Sequence, residues 1–246
     1  MSVLVRGGRD IDALTVRALS ACDVRAMPLI GVGAADAAQA AADHSAGFAI
    51  CISKNADSFT LDLPGGRVLS KQDFEALAYY LVFNELSTNS VKLSSSVSKN
   101  VVQIARTMGL EYSYTSEQEA VHSLSPTSRR ILHDAIFAAC RLCAHIATAG
   151  VSADEIATLI ETAHRRTREI NCDWEDIGRV MRSVYNEDGT EAAEGIRIDE
   201  AEGYGYICPH MTHPRIVIRT EGSTEEFADE LCGKYTDLVK SIIKNK

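Results

Sequence analysis

Three side chains with metal-binding chemistry lie close together near the end of the sequence. Cys208, His210 and His213 fall within six residues, and thiolate sulfur combined with imidazole nitrogen suits zinc or copper. Their spacing matches no familiar zinc motif, and a fourth ligand is not evident. We therefore predict no metal site, and a transition-metal site is the alternative interpretation of these three residues.

The seven cysteines are predicted to be free thiols. Most lie inside apolar patterns, where a thiol behaves as a small hydrophobic side chain. Cys140 and Cys143 lie within a helical pattern rather than at a helix N-terminus, which disfavours a redox role. The first ten residues carry neither the apolar run nor the cleavage site of a signal peptide. Free thiols without an export signal predict a cytoplasmic protein.

Composition and charge exclude several classes of partner. The 246 residues are 46% apolar and 24% charged, as in an ordinary soluble globular protein of one large or two modest domains. The net charge is −9 and no block of basic residues is present, so neither nucleic acid nor an anionic membrane is expected as a partner. No apolar run is long enough to predict a membrane span.

The elements that must position the chemical groups alternate between strand and helix in the first part of the chain. Apolar runs typical of strands, such as 48–52 and 91–96, are separated by helical patterns such as 99–108. Strands that alternate with helices of this length predict parallel pairing with helical crossovers.

The pattern changes in the last third of the chain. We predict one long helix from Pro126 to about Gly150 and a capped helix after Ser152. A domain boundary is expected near residues 163–170. Beyond it, short strands and two helices predict a small α+β domain with its helices on one face of the sheet.

Four segments resemble motifs of the phosphohexomutases, the phosphoglucomutase and phosphomannomutase family, and they occur in that family's order. They are similar to the metal loop, to the strand and helix that begin the next domain, to the sugar-recognition loop, and to the last domain with its phosphate-binding loop. The four segments are FAICISKNADSFTLDLPGGRVLS, VKLSSSVSKNVVQIARTMGLEYSYT, SEQEAVHSLSP and EGIRIDEAEGYGYICPHMTHPRIVIRTEGSTEEFADEL. Together they span roughly residues 45 to 246.

This resemblance implies a fold and a division into domains. Residues 1–63 would be a remnant of the family's second domain, 64–165 resemble the third domain and 166–246 resemble the fourth. The expected fold class is α/β: three-layer domains around mixed, mainly parallel sheets, followed by a small α+β C-terminal domain. No segment resembles the family's phosphoserine loop, which donates the phosphoryl group.

The segment similar to the metal loop keeps one carboxylate of three. Ser53, Asn55 and Asp57 stand where the family has aspartates, and Ser58 replaces its arginine. Mg²⁺ is held by several carboxylate or carbonyl oxygens. A single retained Asp57 therefore predicts a plain turn between strands and no metal cofactor.

The resemblance places a phosphate loop at residues 208–214, without the family's arginine. Arginine binds phosphate through a bidentate fork that cysteine cannot supply. Residual anion binding is predicted for Thr212, Arg215 and the backbone amides of the turn. His210 or His213 would assist when protonated.

The resemblance places sugar recognition at Glu117 and His122, and Lys92 matches a lysine that faces the family's catalytic centre. Glu117 would bind two hexose hydroxyls. A helix-start acid, a loop histidine and a solvated lysine are an equally good interpretation of the same residues.

Two functions follow from the resemblance and from the positions at which this sequence differs from the family's motifs. In the first, the protein has no catalytic residues and no mutase activity of its own, and it binds a hexose phosphate or regulates a complete mutase. In the second, it is a phosphohexomutase that is active only with a partner chain supplying the phosphoserine domain. A homo-oligomer is a further possible assembly.

Overall fold

The computed structural model describes residues 1–33, 36–188 and 194–244. The chain forms two compact units, and each contains two stretches of sequence. Unit 1 comprises Met1–Ser87 and Leu124–Thr162, and unit 2 comprises Thr88–Ser123 and Ala163–Lys246. The predicted correspondence of 1–63, 64–165 and 166–246 to family domains stays a prediction.

The strands and helices occur along the chain in the order β1 (Ser2–Arg6), α1 (Arg9–Ser20), β2 (Arg25–Pro28), α2 (Ala37–Asp43), β3 (Phe48–Ile52), β4 (Phe59–Asp62), β5 (Val68–Leu69), α3 (Phe74–Asn84), β6 (Ser90–Ser94), α4 (Lys99–Thr107), β7 (Glu111–Thr115), α5 (Glu117–Ser123), α6 (Pro126–His133), α7 (Ala135–Ala149), α8 (Ala153–Thr158), β8 (His164–Asn171), α9 (Trp174–Asp188), β9 (Ile196–Glu200), β10 (Gly203–Pro209), β11 (Arg215–Gly222) and α10 (Glu225–Lys244).

Unit 1 contains a five-stranded mixed sheet in the order β2-β1-β3-β4-β5. β1 pairs in parallel with β2 and β3, whereas β4 pairs antiparallel to β3 and β5. The parallel pairing expected from alternating strands and helices is confirmed for β1, β2 and β3. α2 contributes three small buried side chains, Ala37, Ala40 and Ala41, to a core that also contains Leu4 and Ala49 of the sheet.

The prediction of a single long helix over 126–150 is wrong, because the helix is interrupted at Asp134. This residue has extended backbone angles (φ −131°, ψ 99°), and its carboxylate accepts a hydrogen bond from Phe137 N at 3.0 Å. Asp134 therefore ends α6 and caps α7, and the two helices meet at a bend of 111°.

No single helix in the described ranges is long and apolar enough to cross a membrane. α6 and α7 reach the required length and composition only when they are taken together across their bend.

Unit 2 is built on a four-stranded antiparallel sheet in the order β8-β11-β10-β9, together with a parallel pair, β6 and β7. α9 and α10 share one core with this sheet, to which β10 contributes Ile207 and α10 contributes Tyr235. A Cβ at Gly205 would lie 2.3 Å from the Tyr235 ring, so this close packing requires glycine. Tyr206 and Cys208 flank Ile207 in sequence and therefore face away from α9 and α10.

A buried arginine holds the loop after β6 in place within unit 2. The Arg197 side chain is 1% exposed, and its guanidinium donates to the carbonyls of Ser95 at 2.9 Å and Val97 at 2.7 Å. It also forms an ion pair with Asp199 at 2.9 Å and lies over the Tyr204 ring at 3.9 Å. These contacts fix the position of the intervening residue, Ser96.

The start of α4 is fixed by a second buried contact. Ser98 Oγ and Lys99 N each donate to the Glu221 carboxylate at 2.9 Å, and Arg165 forms an ion pair with it at 2.8 Å. Because Glu221 is on β11, this capping carboxylate joins the N-terminus of α4 to the main sheet of unit 2.

Candidate functional site

A cavity of about 350 Å³ opens on the face of the unit 2 sheet that points away from α9 and α10. Its polar side chains come from the loop after β6, from α5, from the segment before β9, from β10 and β11, and from the turn between these two strands. They are Ser96, Glu117, Glu194, Tyr206, Cys208, His210 and Arg219. Its remaining lining residues are Pro209, Met211 and Val217.

The pairing of β10 with β11 brings the floor of the cavity together. Tyr206 is directly opposite Arg219, and Cys208 is opposite Val217, so alternate residues of two neighbouring strands share one face. A Cβ at Gly195 would lie 2.7 Å from the Cys208 Cβ and 2.8 Å from the Tyr206 ring. The absence of a side chain at Gly195 therefore allows the chain to pass close to this floor.

Burial and charge keep the two titratable floor groups protonated. Burial raises the pKa of the Tyr206 hydroxyl, the acidic groups of Cys208, Glu194 and Glu117 raise it further, and Arg219 opposes them. Burial also raises the pKa of the Cys208 thiol. A neutral thiol is a weak nucleophile, so Cys208 contributes shape and Tyr206 contributes a neutral hydrogen-bonding group.

Arg219 is the cation of the cavity. Within the described ranges its exposed guanidinium forms no ion pair, which leaves its donors available to an anion. By contrast, Glu194 Oε2 accepts a hydrogen bond from Glu117 N at 3.2 Å. The Glu194 carboxylate is therefore partly occupied by a backbone amide in the first turn of α5.

The predicted phosphate-binding side chains lie in the turn between β10 and β11 and at the first residue of β11, Arg215, and they contact their neighbours. Arg215 forms an ion pair with Glu169 at 2.6 Å. Thr212 N donates to His210 Nδ1 at 3.1 Å, and Thr212 Oγ1 lies 2.9 Å from His213 Nδ1. His210 reaches the cavity lining, whereas Thr212 and Arg215 do not.

Of the predicted sugar-binding residues, Glu117 lines the cavity. Lys92 instead forms an ion pair with Glu119 at 2.5 Å. His122 is exposed on α5, where its Nδ1 lies 2.6 Å from the carbonyl oxygen of Gln118. The structure therefore brings Glu117 and His210 to one cavity, but not Lys92 or His122.

The segment similar to the metal loop forms a compact turn in unit 1. Asp57 Oδ1 accepts hydrogen bonds from Ser53 Oγ at 2.6 Å and Ser58 Oγ at 2.8 Å. These two hydroxyls lower the pKa of Asp57. No group of three or more His, Cys, Asp or Glu side chains converges as a metal site within the described part of the chain.

Sequence reasoning missed Arg219, Tyr206 and Ser96. The strands containing Tyr206 and Arg219 were predicted, and their alternation could have placed Tyr206 with Cys208 on one face. Which strand pairs with which, and in what register, was not predicted. That register is what brings Arg219 opposite Tyr206.

Comparisons with known proteins connect this fold to a group of solved structures. No protein-family model matches the sequence, and no curated protein matches it at a significant level. Solved structures do match. A phosphoglucomutase/phosphomannomutase family protein from Burkholderia thailandensis is 14% identical with a TM-score of 0.67, over 98% of this chain and 60% of that one.

Two N-acetylhexosamine phosphate mutases show the same likeness. The Aspergillus fumigatus N-acetylphosphoglucosamine mutase, in complex with GlcNAc-6P and magnesium, is 10% identical with a TM-score of 0.55, over 98% of this chain and 62% of that chain. An N-acetylglucosamine-phosphate mutase of the α-D-phosphohexomutase superfamily, in its product complex, is 8% identical with a TM-score of 0.56, over 98% and 60% of the two chains.

The chain therefore has a phosphohexomutase fold, as the sequence motifs predicted. It spans about 60% of the length of the mutase structures that it matches. At these identities the likeness establishes the fold, and the function must be argued from the cavity itself.

Proposed function

We propose that the unit 2 cavity binds a phosphorylated hexose and that the chain has no mutase activity of its own. The observation that carries this proposal is Arg219, which lines the cavity and has no ion-pair partner among the described residues. A guanidinium presents a planar fork of donors that matches two oxygens of a phosphate.

The size and polarity of the cavity support a ligand of this kind. Its volume of about 350 Å³ falls at the lower end of the range for small-molecule sites. Glu117 accepts hydrogen bonds, and Ser96 and Tyr206 both donate and accept them. These three side chains suit the hydroxyls of a sugar ring, while Arg219 suits its phosphate.

Three features support the absence of mutase chemistry. Divalent cations neutralise the charge of the transferring group in phosphoryl transfer. Asp57, the retained carboxylate of the metal loop, is engaged by two serine hydroxyls. No segment resembles the phosphoserine loop, and the Cys208 thiol is held in its neutral form by burial.

Calorimetric titration of the purified chain with glucose 6-phosphate, glucose 1-phosphate, mannose 1-phosphate, unphosphorylated glucose and inorganic phosphate tests the proposal. We expect a hexose phosphate to bind more tightly than glucose. Arg219→Gln should weaken that binding about 10- to 100-fold, because a hydrogen-bonded charge pair is lost. The matched control is Arg182→Gln, since Arg182 is exposed on α9 in the same unit and lies outside the cavity lining.

Equal affinity of Arg219→Gln and the unchanged protein would contradict the proposed phosphate contact. The absence of any hexose phosphate binding, or of any ligand-induced rise in melting temperature with or without Mg²⁺, would contradict sugar-phosphate binding. Interconversion of glucose 1-phosphate and glucose 6-phosphate by the purified chain, well above background, would contradict the absence of mutase activity.

The length comparison favours a second candidate function. The mutase structures extend beyond the part that this chain matches, so a partner chain carrying the unmatched part would complete a phosphohexomutase. This alternative requires a copurifying or coexpressed partner and activity in the mixture alone. A mixture that stays inactive would exclude that partner. Cytoplasmic location, regulation of a complete mutase and homo-oligomerisation stay predictions.

A further inference from the structure

The turn between β10 and β11 brings two imidazole rings into contact at the surface of unit 2. His210 Nδ1 and His213 Nδ1 are 3.4 Å apart, and the ring centroids are 4.7 Å apart with an interplanar angle of 81°. Two ring nitrogens at this separation fit either one shared proton or one shared metal ion.

The separation of the two nitrogens matches chelation of a tetrahedral metal ion. With zinc–nitrogen bonds of about 2.0–2.1 Å, nitrogens at this separation subtend an angle of about 110° at the metal, close to the tetrahedral value. We propose that His210 and His213 form a two-histidine chelate for a transition-metal ion of the Zn²⁺, Ni²⁺ or Cu²⁺ class. Imidazole is a preferred ligand of each of these ions.

Backbone hydrogen bonds fix the turn that holds the two rings. His210 N donates to Arg215 O at 2.9 Å, and Arg215 N donates to His213 O at 2.8 Å. Cys172 N donates to Pro214 O at 2.9 Å, which joins the turn to the end of β8. A turn held at both ends keeps the two imidazoles close before any ion binds, so less conformational entropy is lost on chelation.

The charges around the turn are compatible with a bound cation. Arg215 is the cation that lies closest in sequence, and Glu169 neutralises it in an ion pair of 2.6 Å. Arg215 is also the main cause of the lowered pKa of Glu169, and His210 and His213 contribute to it. The Arg215–Glu169 pair therefore has no net charge, and Arg215 does not oppose a cation at the histidines.

Metal binding would replace three existing hydrogen bonds of the two Nδ1 atoms with metal–nitrogen bonds, and one of the three is the contact between the rings themselves. His210 Nδ1 now accepts from Thr212 N, and His213 Nδ1 lies 2.9 Å from Thr212 Oγ1. Thr212 is exposed, so water can satisfy its amide and hydroxyl once the imidazole lone pairs are taken up by the metal.

The proposed site has two protein ligands, and its other coordination positions are filled by water or by an anion. Within the described ranges, no third His, Cys, Asp or Glu side chain joins the pair in a metal-binding group. Cys208 belongs to the floor of the cavity and its pKa is raised by burial. The site is therefore open, and it differs from the three-residue zinc or copper arrangement considered from the sequence.

Titration with ZnCl₂ in a phosphate-free buffer containing a non-chelating phosphine reductant tests this proposal. We expect one equivalent of Zn²⁺ to bind with an affinity that falls about tenfold or more in both His210→Ala and His213→Ala, since even second-shell changes cost 10- to 100-fold in metal sites. His122→Ala is the matched control, because His122 is an exposed histidine elsewhere in unit 2. A Cys22→Ser variant removes the exposed thiol that could also bind zinc.

Unchanged Zn²⁺ affinity in either histidine variant overturns the chelate, as does the absence of binding below about 1 mM. His210→Gln and His213→Gln, with circular dichroism and melting temperature like those of the unchanged protein, separate loss of a ligand from loss of folding. In addition, the Cu²⁺-loaded protein should give an electron paramagnetic resonance spectrum with coupling to two nitrogens. A spectrum without that nitrogen coupling also contradicts the site.

Discussion

At the scale of single residues, Glu117 has the role that is easiest to separate from the rest of the cavity. It is predicted to recognise hydroxyls of the sugar, whereas Arg219 is predicted to bind the phosphate. Both side chains line one cavity, yet they carry opposite charges. Ligands that contain only one of the two chemical groups therefore distinguish their contributions.

Glu117→Gln should weaken binding of a hexose phosphate about tenfold or more, because hydrogen bonds to a charged acceptor become hydrogen bonds to a neutral one. Affinity for inorganic phosphate should stay equal or rise slightly, because one negative charge leaves the cavity. Calorimetry with both ligands measures the two effects. Glu111→Gln, an exposed change on β7, should alter neither affinity, and equal losses for both ligands would contradict a sugar-specific role.

A buried carboxyl in unit 1 makes stability depend on pH. Asp62 is buried on β4 and accepts a hydrogen bond from Thr60 Oγ1 at 2.8 Å. Burial raises its pKa, although the hydrogen bonds of Thr60 and Cys51 partly oppose this. The folded protein therefore holds this proton to a higher pH than the unfolded chain does, and stability falls as pH rises through that window.

Asp62→Asn should accordingly be more stable than the unchanged protein at pH 7. The difference should shrink as pH is lowered towards about 4, where the unfolded carboxyl is also protonated. Urea unfolding at a series of pH values measures it. Asp43→Asn, on the exposed end of α2, should show no such trend. A difference that grows on acidification would contradict the raised pKa.

At the scale of elements, the loop after β6 depends on one side chain from β9. Arg197→Met should destabilise the protein by about 2–4 kcal/mol, because the carbonyls of Ser95 and Val97 lose their buried donors. It should also weaken ligand binding through Ser96. Urea unfolding measures the first effect and calorimetry the second. Arg168→Met, an exposed change on β8, is the control, and a loss below about 1 kcal/mol would show that water replaces the guanidinium.

Elements with strong periodicity were predictable from the sequence, and those that depend on one local contact were not. The strand 48–52 was predicted at the bounds that the structure has. The start of α3 depends on such a contact, because Asp73 closes a turn at 70–73 and α3 begins only at Phe74. The segment of α5 was assigned to a loop by resemblance, with a helix start at Glu117 as the alternative. Its seven residues bury only Ala120, so no apolar pattern predicts the helix that they form.

The candidate site was predictable only in part for the same physical reason. Glu117 and His210 were found from motifs, which are local in sequence. Arg219 depends on strand register. Ser96 is held in place by Arg197, which binds carbonyls 102 and 100 positions earlier in the chain. Contacts between residues so far apart in the sequence leave no local pattern, so the cavity could not be predicted from the sequence alone.

At the scale of the whole molecule, the predicted linear order of domains and the observed compact units describe different things. The prediction assigned continuous segments by resemblance to a family. The contacts within the chain group Thr88–Ser123 with Ala163–Lys246, and they do not test that assignment. The cavity shows the reason, since Ser96 and Glu117 come from the first of these stretches and Tyr206 and Arg219 from the second.

Because each unit consists of two separate stretches, the chain passes between the units at residues 87/88, 123/124 and 162/163. During synthesis, unit 1 cannot be completed until Thr162 has left the ribosome. The stretch Thr88–Ser123 is likewise synthesised before β8 to β11, the strands with which it forms unit 2. A protease that cuts one of these passages leaves both units covalently joined, and only cleavage of all three would release them from each other.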